Sequence, residues 1–373
     1  MKRFLILLFF IPVLALAESM YSPTWGFFFD LPEGYDYIDG DGRDRFSFSG
    51  PADLMFDLVV YNGQFNSMQE LVNDVNRRIS NRGGVDFFRY RDKQAALIEL
   101  VFGEFEGWGL VVELEGRPGG PIPMLLALSY SPAHIEGMEI FHHSALDSIA
   151  PTYAERYYPG PITEYIFPRG ELRNTPLAIR GLSAMMYEND AEAAQILIER
   201  EFLICQAYLH TPYLREATVR YYRFIYRDSY DRIANAAAAI VQSLGGHMVF
   251  NDEQKRAFAQ RVLTFIQGFR YERDLSGSDF VNLVSAVTEG RGDCDSRAML
   301  FALILANANI RSAIMLSHYY SHAMGLVDIA GTGARFESFG TNWLVAETTA
   351  NIDIGLIDQA LNDPRHWFGI LFE

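Results

Sequence analysis

The chain has 373 residues, 49% of them hydrophobic, with 31 basic against 47 acidic side chains and a formal charge of −16. That length and apolar content provide for two or three domains with cores of their own. The acidic balance argues against nucleic acid and anionic lipid as partners, and two cysteines, Cys205 and Cys294, exclude a disulfide framework.

In chain order, the first element is a targeting segment. Met1-Lys2-Arg3 precedes an apolar run over 4–14, and Ala15-Leu16-Ala17 precedes Glu18. A charged start, a short apolar stretch and a small-x-small site read as a secretory signal, residues 1–17, removed after Ala17; the run is short for a membrane anchor. Without Lys2 and Arg3 the formal charge becomes −18. No later stretch reaches the length of a span, so the mature protein is expected in the periplasm or secreted, with no membrane insertion.

Residues 20–150 alternate strand and helix signals. An aromatic extended stretch over 25–31 ends at Pro32-Glu33-Gly34, and a strand is expected over 54–61. A helix follows over 67–82, with Ser67 as N-cap, Glu70 three residues on and Gly83-Gly84 past its end. Strands over 95–102, 109–115 and 124–130 and a short helix over 135–148 close the unit. This order, with Phe29-x-Leu31-Pro32-x-Gly34-Tyr35 at its opening, resembles the PsbP-like α/β fold, which implies binding or scaffolding. His142 and His143 with Asp147 make a poor chelate, because adjacent helical residues point about 100° apart; they read as surface or cap histidines.

Residues 151–250 follow as a linker and helical segment. Pro159, Pro161 and Pro168 mark 151–176 as linker or wrapping chain. Helical patterns cover 190–209 and 213–244, broken at Thr211-Pro212. Tyr221, Tyr222, Phe224, Ile225 and Tyr226 suit helix packing in a core better than a groove for an apolar substrate. Cys205, within Phe202-Leu203-Ile204-Cys205, reads as a buried small hydrophobe.

The last unit, 251–373, carries the chemistry. Asn251-Asp252-Glu253 caps a helix running to about Gly268. Further on, Gly290, Gly292 and Asp293 precede an apolar run over 299–306, which puts Cys294 at a helix N-terminus. Unpaired N–H groups and the helix dipole favour a thiolate there. A thiolate needs an imidazole to share its proton and a third group to orient that imidazole. Strands are expected over 312–316, 323–329 and 342–346; His322 opens the second and Glu347-Thr348-Thr349 follows the third. Antiparallel pairing of the second and third about a turn at 333–335 makes opposed indices sum to about 669, so His322 faces Glu347. Asp293 reads as the N-cap. Asp293 and Asp295 raise the thiol pKa and a protonated His322 lowers it, with the Cys294–His322 ion pair expected to prevail.

Gly292-Asp293-Cys294-Asp295 opening an apolar helix, Ser321-His322-Ala323 opening a strand, Trp343 shortly before Glu347 and Thr348, and the approach Tyr271-Glu272-Arg273-Asp274 together resemble the transglutaminase-like cysteine enzymes of the papain superfamily. The likeness covers roughly residues 255–355. It implies Cys294 as nucleophile, His322 as general base and acid, and Glu347 as the acidic member, where the family more often has Asp, one methylene shorter. Its expected reaction is acyl transfer from a protein or peptide amide through a thioester, as a peptidase or amidase with water as acceptor, the default, or as a transglutaminase with an amine. The alternative is a non-catalytic binding or scaffold protein of the cell envelope. The Cys294 backbone N–H is one oxyanion donor, with Gln267 or Tyr271 as candidates for a second. No cofactor is implied, and His318 and His322, on strand and turn with no Cys-x-x-Cys or His-Glu-x-x-His, give no metal site. The fold class expected is α+β: an N-terminal α/β sandwich-like domain, a helical middle segment and a C-terminal papain-type core.

Overall fold

The computed structural model describes residues 19–246, 251–273 and 277–372, and the chain is mixed α plus β. The proposed signal segment and Asp274 lie outside the described residues. A short pair, β1 (Met20–Tyr21) and β2 (Phe28–Phe29), leads into β3 (Asp36–Gly40), β4 (Arg45–Ser49) and β5 (Met55–Tyr61). After α1 (Met68–Ile79) come β6 (Val85–Tyr90), β7 (Lys93–Phe102), β8 (Phe105–Glu113) and β9 (Met124–Pro132), then α2 (Glu139–Asp147). These strands form one antiparallel sheet in the order β3-β4-β5-β9-β8-β7-β6. Both faces of its centre are covered. Met68, Leu71, Val72 and Val75 of α1 pack on Ile98, Leu100 and Val111, while Phe27, Phe29 and Ala145 pack on Leu97, Leu110 and Val112.

The two edge strands of this sheet carry no clear sequence signal. β3 is exposed along its whole length and β6 exposes Phe87, so neither edge shows the alternation that one buried face produces. The first helix stops at Ile79, capped by Ser80 at φ 54°, and not at Gly83-Gly84. Gly83 instead serves close packing: a Cβ there would stand 2.1 Å from the Glu99 carbonyl oxygen of β7.

The segment read as linker has structure of its own: α3 (Pro161–Ile166) and a hairpin of β10 (Leu172–Pro176) with β11 (Ser183–Tyr187). α4 (Asp190–Ala207) follows, and the helix expected over 213–244 divides at Ile233 into α5 (Leu214–Arg232) and α6 (Ala234–Ser243).

α7 (Asp252–Gln267) starts at a capping box made by Asn251 and Gln254. β12 (Arg270–Tyr271), α8 (Leu283–Glu289), β13 (Arg291–Gly292) and α9 (Cys294–Asn307) come next, then β14 (Ser312–Ser317), β15 (His322–Val327), β16 (Arg335–Ser338), β17 (Thr341–Ala346) and β18 (Phe368–Ile370). The second sheet is antiparallel in the order β16-β17-β15-β14-β18. α9 is buried from Ala298 to Leu305, packed between this sheet and α6, α7 and α8. β15 and β17 pair with Gly325 opposite Ala346, so opposed indices sum to 671 and not 669. The difference arises because residues 335–338 form β16, which folds onto β17. A shift of two leaves every side chain on its expected face. Among the described residues no helix is long and apolar enough to cross a membrane.

Candidate active site

The start of α9 is built by its first turn. The Ser296 N–H donates to Asp293 Oδ1 at 2.9 Å and the Asp293 N–H donates to Ser296 Oγ at 3.1 Å, so Asp293 is the N-cap and Cys294 the first helical residue. β12 runs parallel to β13 with Tyr271 opposite Gly292, which brings Tyr271 alongside the nucleophile loop. Arg297, one turn along α9 and 2% exposed, donates from Nε to the Gly292 carbonyl at 3.0 Å and from Nη2 to the Phe269 carbonyl at 2.6 Å. It ties the two segments together from inside.

His322 begins β15, opposite Ser317 of β14. Its Nε2 lies 2.7 Å from Glu347 Oε2, and Glu347 Oε1 accepts the Thr349 N–H at 2.7 Å and the Thr349 hydroxyl at 2.6 Å. Burial pushes the Glu347 carboxyl up, but the hydrogen bonds and charge of His322 and the Thr349 donors outweigh it and hold the pKa below the usual carboxylate value. A neutral ring that donates Nε2–H to this carboxylate keeps Nδ1 as its basic nitrogen.

Cys294 and His322 line one cleft of about 280 Å³, together with Asp295, Arg273, Asp279 and His318. Thr218 and Tyr222 of α5 form part of its wall, so the middle helices border the cleft without filling it. The Cys294 thiol donates to Asp295 Oδ1 at 3.4 Å, and the Tyr222 hydroxyl donates to Asp295 Oδ2 at 2.7 Å. The Ala323 N–H and the Tyr271 hydroxyl lie close enough to the sulfur to act on its charge.

The charge state differs from the expectation. Burial first, then the carboxylates of Asp295 and Asp293, push the Cys294 thiol well above its ordinary pKa, and the Ala323 N–H only partly offsets them. Burial and the neighbouring acids thus work against the thiolate that the helix terminus favours. The acids move too: burial, then Asp295, raises Asp293 to about 8, and burial raises Asp295 against the hydrogen bonds from Tyr222 and Cys294. Tyr271 is raised to about 12 by burial and then by Cys294.

Gln267 has other work than an oxyanion donor's. Its amide nitrogen donates to the Glu347 carbonyl at 2.9 Å and the Ile352 carbonyl at 2.8 Å, which anchors the chain on both sides of Thr349. Tyr271, opposite Gly292 on β12, lies beside the nucleophile loop with its ring half exposed. Sequence reasoning passed over Tyr222 and Arg297 as site residues, though each carried a signal: a tyrosine hydroxyl inside a core needs a partner, as does an arginine in an apolar helix.

Two other readings change. His142 is 2% exposed and sits between Ser129 Oγ, 2.9 Å from Nδ1, and Ser131 Oγ, 3.2 Å from Nε2, so it is a satisfied core residue and not a surface one. Cys205 is half-buried, and both cysteines are free. Among the described residues, Asp293, Cys294 and Asp295 are the group whose ligand-type atoms gather within 4.8 Å; their partners are Ser296, Tyr222 and one another.

No family model and no curated protein matches the chain. Among solved structures, a crystal structure from Bacteroides thetaiotaomicron VPI-5482 at 1.50 Å resolution aligns over 88% of this chain and 88% of its own, at 9% identity and a TM-score of 0.25. A likeness of that size carries no argument about fold or function.

Proposed function

We propose that this chain is an exported, cysteine-dependent acyl-transfer enzyme of transglutaminase-like type, working as a peptidase or amidase on a protein or peptide substrate. The observation that carries the reading is the 2.7 Å bond between His322 Nε2 and Glu347 Oε2 on the wall of the cleft that also holds Cys294. In this reading residues 251–373 are a papain-type catalytic core, and the seven-stranded sheet with its helices is a PsbP-like recognition domain. The Cys294 proton passes to His322 as sulfur attacks the amide carbonyl carbon. The Cys294 N–H and the Tyr271 hydroxyl hold the developing oxyanion, and the anionic Glu347 stabilises the imidazolium. His322 then gives its proton to the leaving amine, and a thioester remains. Water, deprotonated by His322, attacks the thioester; the carboxylic acid leaves and the thiol regains its proton.

A second reading has one observation in its favour. A buried thiol beside two carboxylates suits a binding or scaffold protein of the cell envelope that keeps the arrangement without turnover. Intact-mass analysis after exposure to p-nitrophenyl acetate separates the two. The enzyme transfers one acetyl group to Cys294; Cys294→Ala takes up none and His322→Ala acylates about a hundredfold more slowly. No adduct in acid-quenched samples together with no Cys294-dependent release of p-nitrophenol, or equal labelling of Cys205, overturns the enzyme and leaves the binding protein.

A further inference from the structure

Resting on Cys294 as the nucleophile, we propose that Tyr222 and Asp295 are a positioning pair that keeps the thiol in a resting state, its proton directed at a carboxylate and away from His322. The geometry is a short chain: the Tyr222 hydroxyl on Asp295 Oδ2 at 2.7 Å, and the Cys294 S–H on Asp295 Oδ1 at 3.4 Å. Both carboxylate oxygens are thus engaged, one held by a neighbouring helix and one facing sulfur.

Tyr222 is itself well placed to hold still. It is 7% exposed within the main core. Its helix is also pinned by another group of residues: Arg223 donates to Asp30 Oδ2 and Oδ1 at 2.8 and 2.7 Å, and Arg227 donates to Asp30 Oδ2 at 2.6 Å. The Asp295 carboxylate therefore stays against the sulfur unless α5 moves or the carboxylate is neutralised.

The charged and titratable groups around the thiol come from every side. Asp293 and Asp295 belong to its own turn and Arg297 to the next turn of α9, Tyr271 to β12, Tyr222 to α5, His318 to the turn after β14, and His322 to β15 with Glu347 behind it. Arg273 and Asp279, on the connecting chain, pair with each other. Asp295 is the acid that touches sulfur. A carboxylate in contact with a thiol favours S–H over S⁻ by simple repulsion. Replacing it with the near-isosteric amide removes the charge, keeps one acceptor oxygen and turns the other position into a donor.

The test is alkylation of Cys294 by iodoacetamide, followed by intact mass across neutral and alkaline pH, in mature protein carrying Cys205→Ser. Asp295→Asn is expected to speed alkylation about tenfold at neutral pH and to move the pH profile to lower pH. Tyr222→Phe removes the donor that keeps Asp295 ionised, so it moves the profile the same way by a smaller amount, about threefold in rate. A looser fold would speed labelling equally at every pH without moving the profile. That result, an unmoved profile, or a shift to higher pH overturns the pair. Alkylation needs no turnover: a moved profile without acetyl transfer keeps the pair and sinks the enzyme, and acetyl transfer with an unmoved profile does the reverse.

Discussion

Two histidines in this chain have opposite surroundings. His322 gives its Nε2 to an anionic partner, Glu347, at 2.7 Å. Glu347→Gln keeps an acceptor but no charge to stabilise the imidazolium, so acyl transfer should fall about a hundredfold or more, read as single-turnover release of p-nitrophenol; an unchanged rate would remove Glu347 from the site. His142 sits between two serine hydroxyls, and burial, then His143, lowers its pKa to about 4. Below pH 6.5 the unfolded chain binds a proton that folded His142 refuses, so its stabilising contribution is whole above 6.5 and lost as pH falls toward 4. The loss is at most about 3 kcal/mol. Glu33 and Glu164, raised to about 7 by burial, work in the opposite sense, since the fold keeps protons that the unfolded acids release between 4.5 and 7. Thermal melts should therefore be compared between parent and His142→Gln: the difference should shrink as pH falls from 6.5 to 4, because the variant lacks the penalty. At this scale the residue types at 294, 322 and 347 were legible from their order in the chain. The surroundings of the thiol were not, because they depend on Asp295 turning toward the sulfur and on a tyrosine from a helix far back in the sequence.

Between elements, β15 packs closely on α9. Gly325 lies over Phe301, and a Cβ there would meet Phe301 Cδ1 at 2.5 Å. Gly325→Ala should lower the unfolding free energy by about 1–3 kcal/mol, seen in the urea midpoint, because the ring is locked in the core and cannot withdraw. It should also slow acylation of Cys294, which begins the same helix. Adding Phe301→Leu should recover part of both losses; strict additivity would place the clash elsewhere. Period and caps made α9, β14, β15 and β17 readable, since each buries a continuous apolar run between definite boundaries. The edges escaped for a physical reason. β3, β6 and β16 have little or no buried face to impose alternation, and the unrecognised β16 put the register out by two. That error was harmless because side chains in a strand repeat every two residues, so Glu347 stayed on the side of His322.

The molecule as a whole is joined by charge as well as by apolar packing. Asp30, in the extended segment after β2, is 1% exposed and faces Arg223 and Arg227, while Arg220 of the same helix donates to its carbonyl at 3.1 and 2.8 Å. Arg220 continues to Glu201 of α4 at 2.8 Å and to Ser144 of α2 at 2.9 Å. One network therefore links the opening segment, the covering helix of the first sheet and the helix whose Tyr222 reaches the cleft. The spacing 220, 223, 227 was visible as one helix face, but nothing local says that such a face is buried, because its counter-charge lies about two hundred residues earlier. Burial alone would push the Asp30 carboxyl up; Arg223, Arg227 and Arg220 outweigh it and hold the pKa far below the ordinary value. Its contribution is then complete above the ordinary carboxylate pKa and fades as pH falls through the folded value. Asp30→Asn leaves the guanidinium groups facing one another in the interior and should destabilise the chain by about 3–5 kcal/mol in urea. Asp30→Asn with Arg223→Met removes one of the charges that faced Asp30 and should lose less than Asp30→Asn alone. A double variant weaker than the single would mean that Arg223 is stabilised chiefly by other partners and that Asp30 is not the centre of the network.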